Sequence, residues 1–415
     1  MNTHLWKAMA VCAAFGGAGC EGTSDDAADA GAGGAGGAGG AGGAPSLCEK
    51  VTPGTWTGEG VPFSAPQAVV FAGDYLVVAS TNAVWNAELA KVEFGKGFVT
   101  IIDPKTGAFV NRFPTNLPNP QKLAVHGDRL FIVNTGTTAF DMDAGAVHVT
   151  GPGGIDFLPI ADLGTATGPH GTAALSFDPA QPLVGAPIDV AFVGERAYIT
   201  SATSNAVFVF NAGNGMMEHG ANAPLWLGEP GTVGLGSIVS RENTLYVTDF
   251  NTDRLWRIDG ADDSVSGCGI ALGQAADLEG ASTPRIVGED LYVMLSVAGS
   301  VERRGLADLE AAFAANCAEV PSEKTISPLG LYPSDLQPVG DHLLVVNSGD
   351  NRVVEYDATG DEVATYPLAE YANPWAVAVE GGGSRLAVTE QAGNGVTVFD
   401  STCEATTWRL GNPAP

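Results

Sequence analysis

The chain has 415 residues, enough for two average domains or for one large all-β domain. Asp and Glu number 47 against 19 Lys and Arg, and the resulting net charge of -28 repels phosphate backbones, which argues against nucleic acid as a partner. The same charge disfavours adsorption to anionic lipid headgroups, and the 56 glycines and 25 prolines suit a chain with many turns.

Lys7 is the only early cation, and "AMAVCAAFGGA" (8–18) is a short apolar core of signal-peptide length. A bilayer span takes about 20 apolar residues, so this stretch is too short to cross. It ends at "GAGC", with Cys20 preceded by small residues, and so resembles a bacterial lipoprotein signal, whose cysteine is acylated after cleavage. Gly17 departs from the leucine usual three places before that cysteine, which leaves an ordinary cleavable signal as the alternative. Residues 21–46 contain no aromatic and no large aliphatic residue; they cannot bury apolar surface and are expected to form a disordered acidic and Gly/Ala-rich tether. Such a tether makes sense if Cys20 is fixed in a membrane, the lipid anchor being the only membrane contact. Glu21 stands where an Asp would mark inner-membrane retention, so the resemblance implies the outer membrane of the cell envelope over the inner.

Beyond the tether, a fifteen-residue pattern recurs. "LLVVNSGDNRVVEYD" (343–357), "LYVTDFNTDRLWRID" (245–259), "AYITSATSNAVFVFN" (197–211) and "LAVTEQAGNGVTVFD" (386–400) align without a gap. "LYVMLSVAGSVERRG" (291–305) is a degenerate copy. "LVVASTN…GKGFVTIID" (76–103) and "LFIVNTG…AGAVHVTG" (130–151) carry insertions, which brings the copies to seven. Each follows a second apolar stretch, such as "PQAVVFAGDY", "PQKLAVHGDR" or "PIDVAFVGER", and precedes a further β-prone piece. Four short strands per unit, at a spacing of roughly 43 to 67 residues, form the pattern of a propeller blade. Alternation as in "NRVVEYD" favours strand over helix, and "GLADLEAAFAAN" (305–316) alone reads as helical, inserted in the fifth blade. The chain therefore reads as all-β: a single seven-bladed β-propeller of four-stranded blades over 47–415, behind a signal segment 1–20 and the tether 21–46.

The copies at 197–211 and 245–259 resemble the YVTN-type repeat, close kin of NHL repeats, found in exported and surface propellers. That resemblance implies the fold and little about activity, because such scaffolds host binding modules, lactonases and lyases alike. Ring closure bears on the cysteines. An even number after Cys20 (Cys48, Cys268, Cys317 and Cys403) in an exported chain favours disulfides. Cys48 and Cys403 lie where the chain ends must meet, and Cys268 and Cys317 lie near the outer strands of blades four and five, so Cys48–Cys403 and Cys268–Cys317 are the expected pairs.

Between the second and third strands, Asn205, Asp253, Asn351 and Asn394 occupy one equivalent position and read as turn residues, since a job repeated around a ring is structural. Asymmetry is the better guide to a site. At the start of the innermost strands stand Ala68, Lys122, Asp189, Ser237, Thr283, Asp335 and Ala376, expected at the mouth of the central channel. Of these, Lys122, Asp189, Ser237, Thr283 and Asp335 are polar and are candidates for binding a ligand. Asp189 and Asp335 would hold a single divalent cation, Ca or Mg, if the channel narrows there, whereas Lys122 would neutralise Asp189 instead. Trp85, Asp141, Asp143, His170 and Trp375 are candidates for the rim.

Two functions follow. The first is a binding or scaffold module for an envelope protein, a glycan or a small molecule, acting as a monomer. The second is a divalent-metal-dependent lactonase or lyase with its site at the channel mouth, using Asp189 and Asp335 with help from His170.

Overall fold

The structure is a computed structural model and describes residues 53–412, apart from 87–90, 142–145, 176–184, 221–222, 230–233, 274–277, 323, 331 and 401–406. The signal, the tether, Cys20, Asp143 and the expected Cys48–Cys403 pair lie outside the described residues.

Alternating apolar runs punctuated by Gly–Asp and Gly–Glu turns fold into seven antiparallel sheets arranged in a ring, a seven-bladed β-propeller. Blade 1 joins β1 (Pro66–Ala72), β2 (Tyr75–Ser80), β5 (Phe98–Asp103) and β6 (Ala108–Pro114), with a separate hairpin of β3 (Ala83–Asn86) and β4 (Lys91–Phe94) inserted after β2. Blade 2 joins β7 (Pro120–His126), β8 (Arg129–Asn134), β11 (Gly154–Pro159) and β12 (Gly171–Ala174), and carries the hairpin of β9 (Thr138–Asp141) and β10 (Ala146–Val149). Blade 3 holds β13 (Pro187–Val193), β14 (Arg196–Ser201), β15 (Ala206–Asn211) and β16 (Leu225–Trp226). Blade 4 holds β17 (Leu235–Arg241), β18 (Thr244–Asp249) and β19 (Arg254–Asp259), its outer place shared by β20 (Ser264–Val265) and β21 (Ile270–Ala271). Blade 5 holds β22 (Ala281–Val287), β23 (Asp290–Leu295), β24 (Ser300–Gly305) and β25 (Lys324–Ile326), with helix α1 (Leu306–Ala314) after β24. Blade 6 holds β26 (Pro333–Val339), β27 (His342–Asn347), β28 (Arg352–Tyr356) and β29 (Glu362–Pro367). Blade 7 holds β30 (Pro374–Val379), β31 (Arg385–Glu390), β32 (Gly395–Asp400) and β33 (Trp408–Gly411).

One expectation needs correcting. The segment 144–151 looked like the third strand of blade 2, but Ala146–Val149 pairs with Thr138–Asp141 in the inserted hairpin, and Gly154–Pro159 takes the blade position beside β8. Both segments alternate, and only the cross-strand partner distinguishes them.

The core is divided seven ways, one apolar cluster at each interface between neighbouring blades. Second strands such as β8 and β27 are apolar on both faces because each face meets a neighbouring blade, while outer β29 is largely exposed. Among the described residues the ring closes without strand exchange. Val69, Leu76 and Val78 of blade 1 pack on Ala387, Val396 and Trp408 of blade 7. Asn412 brackets Phe63, accepting its N–H at 3.1 Å and donating to its carbonyl at 2.9 Å, and Asn394 Oδ1 accepts from the Ala65 N–H at 2.8 Å. Blades 4 and 5 carry an extra link: the Cys268–Cys317 disulfide forms as expected, with α1 packed beside it. The buried pair Glu302 and Arg304 lies in the same region, and Glu302 Oε2 accepts from the Gly273 N–H at 2.8 Å.

Candidate ligand site at the channel mouth

Every inner strand begins with a register shift, and five of the seven open on proline: Pro66, Pro120, Pro187, Pro333 and Pro374. Proline suits the first strand position because it has no N–H to offer the ladder. The shift interrupts the backbone ladder at the mouth, and side chains take its place. Thr248 Oγ1 accepts from the Ser237 N–H at 3.1 Å, and Thr389 Oγ1 accepts from the Ala376 N–H at 3.0 Å.

The two candidate metal ligands perform this bridging as well. Asp189 accepts from its neighbour Val190 at 2.9 Å and from the Ile238 N–H of blade 4 at 3.4 Å. Asp335 accepts from Leu336 at 2.9 Å and from the Val377 N–H of blade 7 at 3.1 Å. Arg285 of blade 5 also donates to Asp335 at 3.3 Å, both side chains being buried. Each carboxylate thus fastens its own blade to the next one, and the cation beside Asp335 is Arg285. Lys122, named in the sequence as the neutraliser of Asp189, is half-buried and has no carboxylate within salt-bridge distance among the described residues. Thr283 is buried and Ser237 half-buried.

The rim candidates are scattered. Trp375 follows Pro374 on β30, half-buried, and its carbonyl accepts from Ser334 Oγ at 2.8 Å. Trp85 lies in β3 and Asp141 ends β9, so both belong to the inserted hairpins. His170 does not come to the channel. It is exposed beside the outer strand β12, its backbone N–H bonded to the Phe157 carbonyl and its Nδ1 3.7 Å from Asp162. Among the described residues no group of three or more His, Cys, Asp or Glu side chains could hold a metal ion.

The four repeated turn residues do structural work, three of them across blades and Asn205 just past the outer strand of its own blade. Asn351 Oδ1 accepts from the Asn373 N–H at 2.8 Å, and Asn394 reaches Ala65. Asp253 accepts from Glu279 at 2.7 Å and Ala281 at 2.8 Å. Asn205 donates to the Leu227 and Glu229 carbonyls. Asp253, Asn351 and Asn394 have φ of 49°, 51° and 46°, a left-handed conformation that Asn and Asp tolerate best after glycine.

Beneath these turns lies a polar layer of buried amides. Gln67, one residue past Pro66, is 1% exposed, and neither end of its amide has a partner within the protein. Asn119 Nδ2, Asn134 Oδ1, Gln391 Nε2 and both ends of the Asn347 amide share that condition. Gln121, one residue past Pro120, donates to Asn119 Oδ1 at 3.2 Å. All occupy the end of the ring where inner strands begin. The signal was available in the repeated dipeptide "PQ" at 66–67 and 120–121. Two acids near this end are held toward their protonated form chiefly by burial: Asp156, despite hydrogen bonds from Thr172 and Asn116, and Asp249, despite those from Thr252 and Asn251.

No protein-family model matches the chain, and no curated protein is similar to it in sequence. Solved structures are similar in shape. A streptogramin B lyase structure aligns at 12% identity over 80% of this chain and 92% of that one, with a TM-score of 0.55. The virginiamycin B lyase from Staphylococcus aureus aligns at 12% identity over 79% and 92%, with a TM-score of 0.53. U3-55K aligns at 12% identity over 79% and 88%, also at 0.53. At such identity the likeness establishes the propeller fold and nothing finer.

Proposed function

We propose that this is an exported binding module of the YVTN/NHL type, lipid-anchored through Cys20 in the cell envelope, with its ligand site on the face where the inner strands begin. The observation that carries the reading is the layer of buried amides, with Gln67 and Asn347 left without partners inside the protein. A buried polar group is normally paired by protein, water or ligand, and so many on one face make a polar floor suited to recognition. The inserted hairpins β3–β4 and β9–β10 occur on blades 1 and 2, the blades to which Gln67 and Asn119 belong.

Two measurements test it. A thermal-shift screen of the full chain in detergent against sugars, sugar acids and short peptides should yield a stabilising ligand whose effect is lost in Gln67→Leu; a chain stabilised by none of them would refute the reading. Labelling with radioactive palmitate should mark the wild type and not Cys20→Ala.

The second reading is a divalent-metal-dependent lactonase or lyase, supported by the shared fold with streptogramin lyases. Its weakness is chemical: the oxygens of Asp189 and Asp335 already accept backbone N–H groups and the Arg285 guanidinium. Metal analysis of the protein purified without chelator decides between them, since about one tightly held divalent ion per chain, lost in Asp189→Ala with Asp335→Ala, would favour the enzyme.

A further inference from the structure

Lys122 and Asp335 occupy equivalent positions two residues past the proline that opens β7 and β26. Asp335 is answered by Arg285, while Lys122 is half-buried and answered by no carboxylate among the described residues. In a chain with 47 acidic and 19 basic side chains, a cation left open in this way is notable. A lysine keeps a half-buried stem while its ammonium stays free to meet a charged or strongly polar partner from outside.

The second observation is independent of charge. On the adjacent inner strand β1, Gln67 is buried with both amide ends unpartnered, and Asn119 Nδ2, three residues before Lys122, is unpartnered as well. Gln121, next to Lys122, is held by Asn119. An amide offers a donor and an acceptor together, which is what a hydroxyl group needs, since it too does both.

A single ammonium suits one negative charge. A phosphate would call for an arginine fork or a nest of backbone N–H groups, and the net charge of -28 opposes polyanions. At physiological ionic strength the distant carboxylates are screened beyond about 8 Å, so the local cation governs a small ligand. We therefore infer that the channel mouth at blades 1 and 2 receives a small hydroxycarboxylate of the sugar-acid class, its carboxylate on Lys122 and its hydroxyls on Gln67 and Asn119. This rests on the binding-module reading and narrows it to one chemistry.

The test is calorimetric titration of the full chain in detergent with galacturonate and, separately, with galactose. Galacturonate should bind and weaken as salt is raised, galactose binding at least tenfold more weakly. Lys122→Met should bring galacturonate down to the level of galactose, Lys122→Arg should keep part of the difference, and Gln67→Leu should weaken both sugars. Unchanged melting of Lys122→Met shows that the variant is folded. Equal binding of the two sugars, unaffected by Lys122→Met, overturns the carboxylate assignment while leaving a sugar-binding module standing. Binding of neither overturns the inference outright, and a stabilising ligand of another class in the thermal-shift screen would then show that the broader reading survives it.

Discussion

Asp335 shows how a residue that looks like a ligand can be part of the frame. Its carboxylate joins three blades: its own, blade 7 through Val377 and blade 5 through Arg285. Removing one partner of a buried pair leaves the other charged and unsatisfied, so Asp335→Ala should cost about 3 kcal/mol or more. Asp189 holds only backbone N–H groups, and Asp189→Ala should cost less, about 1–3 kcal/mol. Urea unfolding of the two variants checks the order, and equal losses would mean that Arg285 is indifferent to its partner. His342 offers a pH test. Glu355 lies 2.6 Å from its Nδ1 and raises its pKa above the ordinary 6.5. A pKa raised on folding gives stability that is complete below about 6.5 and lost as pH rises through the folded value. The melting temperature should therefore fall from pH 6 toward pH 8.5 by more in the wild type than in His342→Gln. Neither the Arg285–Asp335 pair nor the His342–Glu355 pair could be read beforehand, because each joins residues whose proximity depends on how strands or blades are set side by side.

Strands and turns were far more legible. Seven copies of an alternating pattern announced the blades, and "GLADLEAAFAAN" became α1. The failure in blade 2 came from an insertion that is itself a hairpin: two alternating segments competed for one place, and period-2 patterning does not say which neighbour a strand will take. The candidate site was half visible. Charge in the sequence pointed to Lys122, Asp189 and Asp335, whereas unpartnered buried groups at this end include the amides of Gln67 and Asn119. Helix α1 and the Cys268–Cys317 bridge form one more element whose value can be measured. The bridge spans 49 residues, and replacing both cysteines by serine should cost about 2–4 kcal/mol. Limited proteolysis should then cut first near residues 305–322; unchanged melting and cleavage would show that α1 is held by its apolar face alone.

At the scale of the molecule, no blade has a core of its own, because each apolar cluster belongs to two neighbours. Stability therefore depends on every interface being closed, and the last one joins residues 349 apart in sequence. Asn412→Ala with Asn394→Ala removes the polar bracket there and should cost about 2–4 kcal/mol. Equilibrium unfolding followed separately by tryptophan fluorescence and by circular dichroism should keep coincident transitions if the apolar contacts of Trp408 still hold the ring. Separated transitions would show that the asparagines carry the closure.

That closure has a consequence for how the chain may be reordered. Each blade takes its strands from one continuous stretch of chain, and among the described residues no strand from one end of the polypeptide completes the sheet of the other. Among the described residues, the seam between blades 7 and 1 thus differs from the other six in having no backbone connection across it. A circular permutant with Asn412 linked to Phe63 and new ends cut between blades 5 and 6 would retain all seven sheets and all seven interfaces. Whole blades are thus the units in which such a protein can be lengthened, shortened or rearranged.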